Sequence, residues 1–185
     1  MKRVDLFAVI HKALRLQSAR VVGALANCAG DLEATGRALR ESRELLEMQI
    51  VHARVEETFV VAAIEARRPG AASRLTEAHE EHAVMIERLR TQIDEVERHA
   101  TPARVHALYL EMTRFIADDF LHMFEEETLA QPLLEECYSQ PELAAIAARA
   151  RESVTPAEER LFAPLVLASL STAEREVPGS IGKTR

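Results

Sequence analysis

HMFEEETLAQP, residues His122 to Pro132, repeats in outline an earlier segment, HARVEETFVVA, residues His52 to Ala62. Each has a histidine, glutamates four and five residues on, a threonine directly after them and then a large apolar residue. On an α-helix, residues four apart lie on one face about one turn from each other. Each segment therefore offers an imidazole nitrogen and a carboxylate oxygen to one point. A lone HxxxE carries little weight, but two copies that both continue as EET suggest a pseudo-symmetric site. His52 with Glu56 and His122 with Glu126 are candidate metal-binding pairs.

Working outward, both pairs fall on amphipathic stripes. The spacing predicts a helix running to about Arg67 with Leu45, Met48, His52, Glu56, Phe59 and Ala63 inward, bent near Gly36. A second is predicted from Pro102 with Val105, Leu108, Met112, Phe115, Asp119, His122, Glu126, Leu129 and Leu133 inward, capped by Thr101 with proline in its first turn. Upstream, Val4 to about Cys28 places Phe7, His11, Leu14, Ser18, Val21, Leu25 and Cys28 on one stripe, and Ala29-Gly30-Asp31 supplies a stop and a new N-cap. Arg68-Pro69-Gly70 breaks the chain before a helix with Leu75, His79, His82, Ile86, Leu89, Ile93 and Val96 on a four-three repeat. Nothing calls for a strand. The fold expected is all-α, an up-down-up-down four-helix bundle over 1–136. Short C-terminal helices over 137–172 are expected to cover it: one at Pro141 to Arg151, the next opened by the Thr155 to Glu158 capping box and kinked or shortened by Pro164. Residues 173–185 read as a disordered tail.

Composition agrees. The chain has 185 residues, 48% of them hydrophobic, 4% aromatic and none tryptophan, with a mean hydropathy of -0.11. Helix formers dominate. A formal charge of -7, with no run of Lys and Arg dense enough for a phosphate-binding stripe, argues against a nucleic-acid surface. No run reaches the roughly 18 apolar residues of a membrane span. Polar residues between Asp5 and Arg20 interrupt any export signal, and Cys28 and Cys137 read as free thiols. A cytoplasmic setting, without nucleic-acid or membrane partners, is expected.

In an up-down-up-down bundle His11, His52, Glu56, His79, His82, His122 and Glu126 share one half of the molecule. Unpaired charges on core stripes cost several kcal/mol each, on the order of what a bound cation would offset, and no Lys or Arg lies on those stripes to neutralise them. Imidazole with carboxylate suits iron, manganese or zinc. Seven N and O donors are more than one ion usually takes from a protein, so two ions are expected, bridged by the two glutamates and capped by the histidines. Glu57 and Glu127, one position around the helix, read as solvated, with a place behind a ligand as the alternative. Asp119 lies within reach of an imidazole N–H, His99 and His106 read as surface residues, and Tyr109 and Tyr138 take no role.

The order His, HxxxE, His, HxxxE over four helices, with the EE pairs and Pro132, resembles the hemerythrin-like (HHE) cation-binding domain over about Val4 to Glu136. The resemblance implies a non-heme di-iron site with bridging carboxylates and a position where O2, NO or peroxide approaches. It implies His11 from the first helix, His52 and Glu56 from the second, and His122 and Glu126 from the fourth as ligands. On the third helix the family offers one histidine or an HxxxH pair, whereas this chain has HEEH, so His79 and His82 both stand as candidates. The function expected is binding or sensing of O2, NO or reactive oxygen species. The alternatives are a di-iron enzyme that decomposes peroxide or reduces NO, and a metal-stabilised regulatory domain.

Overall fold

The computed structural model describes residues 3–172; the tail expected over 173–185 lies outside them. Six continuous helices and no strand form among the described residues. The first is α1 (Ala8–Asn27). The next runs from α2 (Leu32–Val55) through a π-helical turn (Glu56–Val61) into α3 (Ala62–Arg67). After α4 (Ser73–Arg98), α5 (Pro102–Glu125) passes through a second π-helical turn (Glu126–Ala130) into α6 (Gln131–Cys137). Helices α7 (Gln140–Glu152) and α8 (Pro156–Ser169) close the described chain.

The helix ends follow local chemistry. Asp31 caps α2 by accepting from the Ala34 N–H, and Gly30 before it takes φ 89°, a conformation glycine adopts without strain. Thr101 caps α5 with Pro102 in its first turn. Thr155 and Glu158 form the expected capping box, and Ser139 with Glu142 forms another. Helix α8 continues past Pro164 to Ser169 rather than ending there. Helix α1 starts at Ala8 rather than near Val4, because the Asp5 carboxylate accepts from the Phe7 and Ala8 N–H groups and turns the chain into the helix.

Around the bundle α1 neighbours α2 and α5, and α4 neighbours α2 and α5, the closed ring of an up-down-up-down arrangement. The predicted stripe of α1 is buried at every position from Phe7 to Cys28, and that of α5 from Val105 to Glu126. Beyond the two π-turns the inward face differs from the sequence pattern. Val60 and Ile64 are buried where Phe59 and Ala63 were expected, and Ala130 and Leu134 where Leu129 and Leu133 were expected. A π-turn takes one more residue than an α-turn, as the Gln131 N–H bond to the Glu126 carbonyl shows, so the face downstream slips by one position. The threonine of each EET bonds one turn back, Thr58 donating to the Arg54 carbonyl and Thr128 to the Phe124 carbonyl, each at 2.7 Å.

The core has an apolar layer on either side of the polar residues. One, around Leu45, Ile93, Leu108, Met112 and Phe115, fills the lower bundle. The other, around Phe7, Val60, Ile64, Leu75, Leu134 and Leu143, joins α7 to the upper end. Helix α8 lies across α1 and α2, with Phe162 and Leu165 packed among Leu14, Met48 and Met123. Each fully buried large side chain contributes about 1.5–3 kcal/mol, and the two layers close off the polar residues along the bundle axis. Cys28 and Cys137 are free. No helix of the described residues is long and apolar enough to cross a membrane.

Candidate metal centre

Between the two apolar layers, four helices bring their polar residues together. His11, His52, Glu56 and Glu126 form one group of donor atoms within 4.8 Å of one another, and Glu56, His79, His122 and Glu126 form a second. Both glutamates belong to both groups. His52 Nε2 lies 3.2 Å from Glu56 Oε2 and His122 Nε2 3.2 Å from Glu126 Oε1, the HxxxE pairs read from the sequence. Across the bundle His11 Nε2 lies 3.3 Å from Glu126 Oε2 and His79 Nε2 3.4 Å from Glu56 Oε2. The two-fold relation of the sequence segments is therefore a relation of the whole cluster, exchanging His11 with His79, His52 with His122 and Glu56 with Glu126.

Behind the cluster the same symmetry continues. His11 Nδ1 meets Glu127 Oε1 at 2.8 Å, and His79 Nδ1 meets Glu57 Oε1 at 2.7 Å. Glu57 and Glu127 are half-buried, not solvated, because the second glutamate of each EE pair faces the neighbouring helix and meets its histidine there. These carboxylates orient the rings and leave Nε2 as the atom turned to the cluster. Arg15 Nη1 donates to Glu127 at 2.6 Å, and Thr76 Oγ1 donates to Glu57 at 3.3 Å. Asp119 is buried one turn before His122, and its hydrogen-bond partner is Gln49 at 2.7 Å rather than an imidazole. Gln49 escaped the sequence reading. Its signal was positional, since it precedes His52 by the same three residues by which Asp119 precedes His122.

His82, the second candidate on α4, stands outside both groups. It is half-buried, edge-on to Phe115 and His122 at ring-centroid distances of 5.5 and 5.2 Å. His99 and His106 are exposed. Tyr138 donates to the Ala63 carbonyl, with the Arg67 guanidinium over its ring, and Tyr109 packs at the edge of the lower core.

The charges compensate one another in the metal-free chain. Burial opposes a charge on His11, but the carboxylates of Glu126 and Glu56 beside its Nε2 prevail and push its pKa up to about 10. His79 is raised to about 9, burial again outweighed, here by Glu56 and Glu57. Burial lowers His52 to about 4 against the pull of Glu56. It lowers His82 to about 4 too, with the charges of His122 and His79 acting in the same direction. Glu126 is held well below the usual carboxylate range, its burial overcome by the neighbouring imidazoles of His11 and His122. Burial raises Asp119 to about 7.

The residues fit a pair of cations. His11 Nε2, His52 Nε2, Glu56 Oε2 and Glu126 Oε2 are buried without a hydrogen-bond partner, and each such atom costs about 1–3 kcal/mol unless something satisfies it. All four point at the shared space. Imidazole and carboxylate donors suit iron, manganese or zinc, and no cysteine belongs to either group. Beside the cluster, between α2, α4 and α5, lies a cavity of about 120 Å³ lined by residues including Gln49, His52, His79, His82, Asp119 and His122.

Neither the curated proteins nor the solved structures give a match to the chain. The family model described as Hemerythrin HHE cation binding domain matches residues 3–134, which run from before α1 into α6 and include every residue of the two donor groups. The chain thus belongs to the hemerythrin HHE cation-binding family, and carries a buried His/Glu cluster suited to two metal ions.

Proposed function

We propose that the chain is a non-heme di-iron protein that binds or senses O2, NO or reactive oxygen species. The observation that carries this reading is the pair of four-residue donor groups sharing Glu56 and Glu126. His11 and His52 would hold one ion, His79 and His122 the other, and the two glutamates would bridge them. Manganese or zinc fits the same donors; iron is preferred because its redox chemistry suits the proposed ligands. Two iron ions so held would supply electrons and open coordination positions for a diatomic or peroxide ligand.

The protein's own part is to position and to exclude. Glu57 and Glu127 fix the Nδ1 side of His79 and His11, so that each ring presents Nε2 as a donor without rotating. The apolar layers above and below exclude water along the bundle axis, which strengthens the charge contacts between them. The cavity of about 120 Å³ is far below the roughly 300–1,000 Å³ of pockets that take larger organic ligands, and so favours a ligand of a few atoms.

The test is metal analysis with absorption spectra on anaerobically prepared protein, before and after O2, NO and peroxide. Two irons per chain with a spectrum that changes on adding one of these ligands is the expected result. Bound iron well below two per chain, or a spectrum indifferent to all three, would refute the reading. Sustained consumption of peroxide or NO would place the chain among enzymes instead. Glu56→Ala or Glu126→Ala should lower bound metal well below the wild-type level, and unchanged occupancy in either variant would sink the bridging assignment.

A further inference from the structure

The internal two-fold relation allows the halves of the centre to be compared position by position, and one difference between them bears on access. Three and four residues after His11 come Leu14 and Arg15; three and four residues after His79 come His82 and Ala83. Leu14 is fully buried against Met48 and Met123, while Arg15 reaches over Glu127, so the α1 side is filled and covered. At the equivalent place on α4 the long side chain is missing. Ala83 is exposed, and both it and His82 line the cavity that reaches His52, His79 and His122. The ring nitrogens of His82 have no hydrogen-bond partner among the described residues, although the ring is held edge-on by Phe115 and His122.

Space and chemistry agree on what this side admits. Liquid water takes about 30 Å³ per molecule, so a cavity of about 120 Å³ has room for roughly four water-sized atoms, enough for a diatomic or linear triatomic molecule. A half-buried imidazole with a free N–H is a donor held ready for a small ligand that accepts hydrogen bonds. On the opposite side Leu14 presents no such group. Resting on the di-iron reading above, we propose that small ligands enter between α2 and α4 past Ala83 and are held beside the centre by a hydrogen bond from His82, which is not itself a metal ligand.

Azide, a linear anion of three heavy atoms, is the probe, used with the iron-loaded full chain. The variants place on α4 what α1 already carries: His82→Leu and Ala83→Arg, with His82→Gln as the conservative control. All three should retain the wild-type iron content. Azide should bind about tenfold more weakly to His82→Leu, the loss of one hydrogen bond, and recover to within about threefold in His82→Gln, which keeps an N–H. In Ala83→Arg the association and dissociation rates should both fall about tenfold with little change in affinity, the signature of a narrowed entrance. Iron lost from His82→Leu while Ala83→Arg stays loaded would make His82 a ligand and overturn the assignment. Equal azide affinity in His82→Leu, or unchanged rates in Ala83→Arg, would overturn the binding residue or the route. A wild-type chain unable to hold two irons would instead remove the underlying di-iron reading, and this proposal with it.

Discussion

Adding zinc to the metal-free chain at pH 8 is expected to release about two protons per chain. In the absence of metal, His11 and His79 have pKa values of about 10 and about 9, because burial is outweighed by Glu126 and Glu56 at His11 and by Glu56 and Glu57 at His79. At pH 8 a group at 10 is about 99% protonated and one at 9 about 90%, so the pair carries about 1.9 protons. His52, lowered to about 4, enters neutral, and Asp119, at about 7, has already lost most of its proton. A metal requires the lone pair of each Nε2, so both protons must leave, while the Nδ1–H bonds to Glu127 and Glu57 are kept. Zinc is the right ion for this measurement because it has no redox step to add or consume protons. Calorimetry in two buffers of different ionisation enthalpy gives the proton count directly. The same argument requires the combined affinity for two ions to rise by about a hundredfold per pH unit between roughly pH 7 and 9, and to level off above about 10. Release of fewer than one proton, or an affinity indifferent to pH, would show that the carboxylates do not hold protons on these two rings.

Three further outcomes follow from the same geometry. A raised imidazole pKa stabilises the fold fully below the unfolded value and loses that contribution as pH rises through the folded one. The metal-free chain should therefore melt at least about 5 °C lower at pH 10.5 than at pH 7, while the zinc-loaded chain should show no such fall; parallel melting curves for the two forms would refute this. Glu57→Ala and Glu127→Ala should each weaken metal binding by about 10–100-fold without unfolding the chain, checked by competition with a chelator of known affinity; wild-type affinity in both would make these contacts incidental. Deleting Leu129, which is 64% exposed, removes the extra residue of the second π-turn and leaves Ala130 and Leu134 facing the core. Helix content by circular dichroism should persist while bound metal falls, and full occupancy in that variant would show that the widened turn does not serve Glu126.

The helices, their order and the pairing of His52 with Glu56 and His122 with Glu126 were determined by the sequence alone. Burial on one face imposes a 3.6-residue period that apolar and polar residues must both obey, so the histidines could be placed on stripes without coordinates. Tertiary structure decided three things that this period leaves open. It placed the π-turns at the two glutamates, a local change in hydrogen bonding that shifts Phe59, Ala63, Leu129 and Leu133 off the predicted face. It separated His79 from His82, which share one stripe of α4; only the helices facing them put His79 against Glu56 and His82 against Phe115. And it brought Glu57 to His79 and Glu127 to His11, contacts between residues far apart in the chain, which no local pattern can encode because they exist only once the four helices have packed.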